Sequence, residues 1–520
     1  MFFPKYIRNH NGYLLAAWVL LGGLTLLRLV LAGTFNLLPD EAYYWQWSRY
    51  LSWGYHDHPP MVAWAIGLAT WLAGNSEAAV RLPAVLSLAG VSAYGIVIAR
   101  RWYGPRAAWY TAVLSQSVLL FNVGALIVTP DSFQALAWAG AAYHLACSYE
   151  TGRPSQWLLT GLWFGIGMLS KLSMALFPPL ALAAGLTTTD FRRRLKSIWP
   201  HMGFGAGLLI WTPFLVWNAE HGWRAIRHVG YQGGLTATGA FHLQYLGDYL
   251  LSQVALLSPL VFGCLVAAWW GVLRCGRPSE SAVSRLLLLT SLPVFLVFAL
   301  LSLHTRVEGN WPGYGYLTGC VLTGAFFANR HAVMTTVSRL WQITLISSWL
   351  VSAVVLIQVA WPVFPLDPQL DRTVMETAGW PQLAHKAAQL KTQLPVPQKS
   401  FIFALRYQEA SELAYYCPGR PRTLAINRGR RPNAYDYWWQ DDTLLDQDAV
   451  GVAGNPDERR HLQAFFQRVD PPIRLDIHKR AVWPAAEGQH KAIKTYYLYK
   501  AYGYKGGHRW RPENADDIRG

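Results

Sequence analysis

The stretch YLLAAWVLLGGLTLLRLVLAG, residues 13–33, decides the class of fold. It carries one charged side chain, Arg28, in a run long enough to cross a hydrocarbon core of roughly 30 Å as a helix. Val30-Leu31-Ala32 ahead of Gly33 resembles a signal-peptidase site. The run is nevertheless longer than a secretory signal's apolar region and heads many further spans, so a retained first helix is expected, with Arg28 snorkelling to its outer end. Comparable runs lie at residues 80–99, 107–128, 132–147, 202–218, 252–273, 286–303, 311–328 and 340–361, and a shorter pair between 157 and 189 is broken at Ser170-Lys171. About eleven crossings are expected. MVAWAIGLATWLAG, 61–74, is too short to span and reads as a helix lying along the interface.

Composition agrees: of 520 residues, 52% are hydrophobic and only 14% charged, and the 26 tryptophans suit a chain that meets headgroups many times. The net charge of +16 comes with no recognisable nucleic-acid module. Much of it lies in alternate short loops: Lys5 and Arg8, RRWYGPR (100–106), Arg153, RRRLK (192–196), Arg274 with Arg277 and Arg285, and Arg330 with Arg339. By the positive-inside rule these loops and the N-terminus are cytoplasmic, and contact with anionic membrane lipid follows. Five cysteines, including Cys275, supply neither a disulfide framework nor a CxxC metal motif. Beyond residue 361 prolines, charges and short apolar runs such as FIFAL indicate a soluble α/β domain. The expected organisation is a membrane domain, 1–361, with a first outer loop at 34–79, and an outer domain at 362–520.

The first outer loop contains LPDEAYYWQWSRYLSWGYHDHPP, residues 38–60. Ionisable groups this close to a membrane point to a pathway or a site. Asp40, Glu41, His56, Asp57 and His58 lie here, Asp131 opens the fourth span, Lys171 lies in the broken pair, and HTRVEGNWP (304–312) precedes the tenth. Any one of these is ordinary as a solvated loop residue, but four stretches converge on one face beside short, broken helices. A carboxylate there can act as general base on a hydroxyl or stabilise positive charge at a sugar carbon. Lys171, Arg306 and Arg81 can hold a phosphate, and Tyr43, Tyr44, Trp45 and Trp47 offer faces for sugar or lipid. These requirements describe transfer of a sugar from a lipid phosphate.

The Asp-Glu pair after the first helix, HPP, AVRLP (79–83), TPD (129–131), LSK (169–171) and VEGNWP resemble, in this order, the bacterial branch of the dolichyl-phosphate-mannose protein mannosyltransferase-like superfamily, glycosyltransferase family 39. The aminoarabinose and galacturonic acid transferases of lipopolysaccharide are related, and RYQEASELAYY (406–416) with NAYDYW (433–438) resembles the tail of one bacterial subgroup. The resemblance implies an α-helical polytopic GT-C fold with a C-terminal periplasmic α/β domain, in a bacterial inner membrane. It implies a polyprenyl-phosphate sugar donor, a lipid A, lipopolysaccharide or other envelope glycan acceptor, and inversion at the sugar carbon. Asp40 becomes the leading catalytic carboxylate, Glu41 its partner and Asp131 the second-loop acid. His58, Arg81, Lys171, Arg306, Glu308, Asn310, Tyr43 and Tyr44 become substrate-binding, and Trp311 structural.

His58 stands where aminoarabinose transferases carry an acid and a lysine before proline, a departure from that pattern. His56, His58, His304 and Glu308 are of suitable type for a divalent metal ion. A monomer is expected. Protein O-glycosylation by the same fold, transport or flipping of a lipid-linked glycan, and an inactive glycan-binding relative are the alternatives. No internal repeat of the kind common in transporters is evident.

Overall fold

The structure, a computed structural model, describes residues 10–233, 241–274, 281–330, 335–364, 366–367, 371–426, 432–438, 441–478 and 492–507. Lys5, Arg8, Cys275 and Arg277 lie outside the described residues. The first part of the chain is helical: α1 (His10–Leu31), α2 (Pro39–Arg49), α3 (Met61–Ala73), α4 (Glu77–Tyr103), α5 (Pro105–Ser117), α6 (Leu119–Gly124), α7 (Pro130–Thr151), α8 (Pro154–Met168) and α9 (Phe177–Leu186). The helical series continues with α10 (Thr189–Arg194), α11 (Ile198–Glu220), α12 (Arg224–Gln232), α13 (Leu243–Leu257), α14 (Pro259–Arg274), α15 (Ser281–Leu289), α16 (Leu292–Ser302), α17 (Tyr316–Arg330) and α18 (Thr335–Ala360). Proline opens several of them, where its missing N–H costs no helical bond and its fixed φ suits the first turn.

Among the described residues five helices are long and apolar enough to cross a membrane: Asn11–Leu31, Glu77–Tyr103, Ile198–Glu220, Ala282–Ser302 and Arg339–Ala360. A sixth span results if α13 and α14, bent by 100° at their junction, are counted together. The run expected to be continuous at 252–273 is therefore broken, at Ser258, whose φ of 71° no right-handed helix accommodates. The expected run 107–128 also breaks, between α5 and α6, where Val118 is extended. The pair around Ser170-Lys171 breaks as expected, into α8, a short 3-10 turn over Leu172–Leu176, and α9.

The chain divides into two compact units. One consists of Met1–Ala32, His58–Ala65 and Arg81–Leu356, the other of Gly33–Asp57, Ile66–Val80 and Ile357–Gly520. The division near 357 lies close to the expected boundary, but much of the first outer loop belongs to the second unit and does not form part of a separate membrane domain.

In the first unit α8 and α11 pack backbone to backbone. Gly161 and Gly165 of α8 face Gly203 and Gly207 of α11: a methyl on Gly161 would collide with the Gly203 carbonyl, and one on Gly207 would lie 2.7 Å from the Gly161 carbonyl. Both helices thus carry Gly-xxx-Gly, the spacing that lets apolar helices approach closely without a hydrophobic driving force.

The second unit adds α19 (Arg372–Thr377), α20 (Trp380–Lys391) and α21 (Tyr407–Tyr416) to a six-stranded sheet, β1 (Phe401–Ala404), β2 (Thr423–Ala425), β3 (Ala449–Ala453), β4 (Phe466–Val469), β5 (Ile473–His478) and β6 (Ala492–Tyr504). β1 is parallel to β2 and β3, and long β6 runs antiparallel between β3 and the successive strands β5 and β4. Phe401, Phe403, Phe466, Leu424, Tyr499 and Tyr504 fill its core. The α/β character expected for this region is observed. Lys494 on β6 lies 4.4 Å from the Trp380 ring centre, and burial pulls its ammonium down to about 8 against the attraction of Glu412, Glu409 and Glu376.

Gly161→Leu is expected to lower the thermal midpoint of the detergent-solubilised protein by several degrees through overpacking, whereas Gly205→Ala, which meets nothing within 4 Å, is expected to leave it in place. Because Lys494 binds its proton less tightly folded than unfolded, its cost is fully present below pH 8 and fades toward 10.5. Lys494→Met is therefore expected to raise the midpoint at pH 7, with the gain shrinking as pH rises through that window, as measured by scans at stepped pH.

Candidate active site

In the first unit a carboxylate, a lysine and an amide come together where three helices are interrupted. Asp131 follows Pro130 at the start of α7, so its carboxylate sits at the end of the helix whose unpaired N–H groups favour negative charge. Lys171 lies in the break after α8, with extended backbone (φ −156°, ψ 137°) that turns its side chain out of the helical path. Its Nζ is 2.7 Å from Asp131 Oδ1, and both side chains keep partial access to solvent, 15% and 24%. Asn310 Nδ2 donates to Asp131 Oδ2 at 3.4 Å, and Lys171 Nζ stands 5.7 Å from the Trp311 ring centre. Trp311 thus contributes its ring face to the cluster as well as opening the 3-10 turn Trp311–Gly315.

Three amides absent from the sequence expectations hold this cluster. Gln134, one turn along α7 from Asp131, donates to Ser173 Oγ at 2.8 Å and joins α7 to the broken segment. Gln253 of α13 donates to the Gly309 carbonyl at 2.9 Å and accepts from Tyr316 Oη at 2.6 Å, fixing the loop that carries Asn310. Met61 N–H donates to the Leu169 carbonyl at 3.0 Å, closing the break from another segment. The legible signal was a glutamine within an apolar span, where an amide must find a partner. Arg28 is a further correction: it does not snorkel but is buried, donating to Gln116 Oε1 at 2.6 Å and Asn122 Oδ1 at 2.5 Å.

The first-loop acids belong to the second unit and differ sharply. Asp40, second residue of α2, is exposed. Glu41, next along, is fully buried, and its Oε2 accepts from Leu38 N–H at 3.0 Å, a capping bond that secures the helix start. The rest of α2 is buried against the C-terminal segment. Tyr43 Oη donates to Asp57 Oδ2 at 3.0 Å and accepts from Ala434 N–H at 2.7 Å, and its ring lies 4.4 Å from that of Tyr407. Burial first, then the Asp57 charge, pushes the Tyr43 phenol well up, so it remains a donor. Gln46 Nε2 donates to Tyr435 Oη at 3.3 Å, and Trp45 Nε1 to Asn75 Oδ1 at 2.7 Å. Tyr43, Tyr44, Trp45 and Trp47 are therefore packed in protein; their rings are not open platforms for a sugar.

Arg81, in the first unit, is fully buried and donates to the Ala32 carbonyl at 2.8 Å, which ties α4 to the end of α1. Arg306 and Glu308 are exposed, and His58 and His304 half-buried, with the His304 ring 4.9 Å from Phe241. His56 is buried with its ring 6.5 Å from Tyr437. Among the described residues no three His, Cys, Asp or Glu side chains are gathered as a metal would require.

Tyr43→Phe strands the Ala434 N–H and removes a donor from Asp57. It is expected to cost about 1–3 kcal/mol, read as a lowered denaturation midpoint of the purified protein, with Asp57→Asn in addition recovering little.

A model of the dolichyl-phosphate-mannose-protein mannosyltransferase family matches residues 57–217. The chain is 24% identical over 310 residues to the lipid A galacturonosyltransferase RgtD of Rhizobium johnstonii, 58% of this chain and 63% of that protein. It is 28% identical over 332 residues to the undecaprenyl phosphate-alpha-4-amino-4-deoxy-L-arabinose arabinosyl transferase of Edwardsiella ictaluri, 58% of this chain and 57% of that one. Each match thus spans less than two thirds of the relative's length. In structure the chain is similar to ArnT from Cupriavidus metallidurans bound to undecaprenyl phosphate, with a TM-score of 0.61 at 16% identity over 93% of this chain and 97% of that one. It is also similar to the Archaeoglobus fulgidus oligosaccharyltransferase in its apo form, with a TM-score of 0.53 at 11% identity over 88% and 70%. The resemblance carried by the motifs is borne out: this chain is a polytopic membrane protein of the GT-C fold, similar to the bacterial family 39 glycosyltransferases.

Proposed function

We propose that the protein is a glycosyltransferase of a bacterial inner membrane that moves a sugar from a polyprenyl phosphate to lipid A, lipopolysaccharide or another envelope glycan on the periplasmic face. The observation that carries this reading is the Asp131–Lys171–Asn310 cluster at the helix breaks of the first unit. A cation beside a carboxylate, at partly accessible helix ends within an apolar bundle, suits a lipid phosphate and the sugar it carries. The relatives' names support it: one acts on lipid A, another uses an undecaprenyl-phosphate sugar, and a protein of similar fold was crystallised with undecaprenyl phosphate.

In this reading the acceptor hydroxyl attacks the anomeric carbon as its bond to the phosphate oxygen breaks, the phosphate leaving with the electron pair. Asp40, exposed and borne on a packed helix, takes the hydroxyl proton or stabilises charge at that carbon. Lys171 and Arg306 meet the charge gathering on the phosphate, and Asp131 with Asn310 orients Lys171 and the sugar. Glu41 acts through the helix start and leaves Asp40 as the reacting acid. The N-terminus is cytoplasmic, the C-terminal domain periplasmic, the chain crosses about eleven times once the short broken helices are counted, and it works as a monomer.

Asp40→Asn is expected to lower transfer from a polyprenyl-phosphate sugar at least about a hundredfold without moving the thermal midpoint. Normal transfer by that variant would overturn the assignment of Asp40. Mass spectrometry of envelope lipids from cells with and without the gene should show a missing sugar on lipid A or core. Unchanged lipids with a changed glycoprotein would instead indicate a protein acceptor, and movement of the donor lipid without covalent product a flippase.

A further inference from the structure

Helix α12, Arg224–Gln232, has no part in the proposed reaction, and its residues divide cleanly by face. Arg224, Arg227, His228 and Tyr231 recur at the spacing that aligns side chains along one stripe of a helix. Arg227 and Tyr231 are exposed, and Arg224 and His228 half-buried. The opposite face is apolar: Ala225 is buried with Leu169, Phe214 and Trp217, and Ile226 packs on the same cluster beside Leu172. Leu169 and Leu172 flank the break that holds Lys171, so the helix is seated next to the candidate site within the same unit.

The seat is fixed at its entry. Asn218, fully buried near the end of α11, accepts from Trp223 N–H at its carbonyl and from Ile226 N–H at its Oδ1, at 2.6 and 3.3 Å. Trp223 takes a left-handed φ of 59° to make the turn, a conformation a bulky residue adopts only when its surroundings impose it. Topology offers no reason for these cations. The alternation of basic loops places residues 219–251 on the outer side, where the other loops between spans carry few Lys or Arg.

We infer that α12 is a docking helix for phosphate groups on the headgroup of the acceptor glycolipid, an inference that rests on the outward-facing glycolipid transfer under Proposed function. Two guanidinium groups and an imidazole along one stripe match a headgroup bearing phosphates, and the Tyr231 ring at its end suits an adjoining sugar. A latched helix beside Lys171 favours the acceptor over bulk phospholipid, which needs no fixed partner at that position.

The test uses the full-length protein in phosphatidylcholine nanodiscs and measures binding of lipid A and of enzymatically dephosphorylated lipid A. The phosphorylated form is expected to bind roughly tenfold tighter, and Arg227→Glu combined with Arg224→Gln to erase that preference, while Arg227→Lys retains most of it. An unchanged thermal midpoint of the charge variant shows that it folds. An unaltered preference in the folded charge variant overturns the inference, as does equal competition by phosphatidylglycerol, which would mark a bulk-lipid contact. Asp40→Asn separates the two readings: it is expected to lose transfer and keep the phosphate preference. Transfer without any phosphate preference sinks the docking helix alone; preference without transfer in the wild type sinks the proposed reaction and supports the docking surface.

Discussion

A helix interrupted within an apolar bundle exposes carbonyl and N–H groups that have no water to turn to, and the first unit is organised around satisfying them. At the break after α5, Ser348 and Ser352 of α18 both donate to the Ser117 carbonyl, while Asn122 donates to that of Gln116. At the break after α8, the N–H groups of Ser170 and Lys171 turn back to Gly167, and Met61 closes Leu169. In the loop before α17, Gln253 holds Gly309. Each interruption thus acquires a set of polar side chains for structural reasons. Asp131, Lys171 and Asn310 gather at such interruptions because there the backbone has already made room for polarity.

Two short sequences, LPD and TPD, use one device. In each, proline takes the first helical position and aspartate the second, which places a carboxylate at the positive end of a helix. The two aspartates then meet different neighbours. In TPD the next acidic or basic partner is distant in sequence, and Asp131 is met by Lys171. In LPDE a second acid comes at once, and the roughly 100° turn per residue sends Asp40 outward and Glu41 inward to the Leu38 N–H. Adjacent carboxylates are thereby separated into one that is accessible and one that is structural.

Much of this was legible in the chain. Apolar length marked the membrane class, and Asp131 and Lys171, which the structure pairs, stood out in the sequence because charges are rare beside apolar runs. Bends inside apolar runs were less legible: Ser258 and Val118 are ordinary residues for a spanning helix, and only tertiary contacts make them break points. The tyrosines and tryptophans after Asp40 misled because an aromatic that binds a sugar and one that fills a core are the same residue. Their partners, Tyr407 and Tyr435, lie in a region with no periodicity linking it to the first loop. Arg28 misled similarly, since snorkelling and burial among amides both suit an arginine near a helix end.

The packing of α2 on the C-terminal segment also bears on when the protein becomes competent. Tyr43 and Ala434, which share a hydrogen bond, are separated by 391 positions along the chain. The helix that carries Asp40 emerges early in synthesis but lacks the partners it packs against until α21 and the segment around Ala434 and Tyr435 have been made. An unfinished chain can have its membrane helices in place and still lack a fixed position for its first acid. The position of the helix that carries Asp40 is thus fixed by residues made almost four hundred positions later.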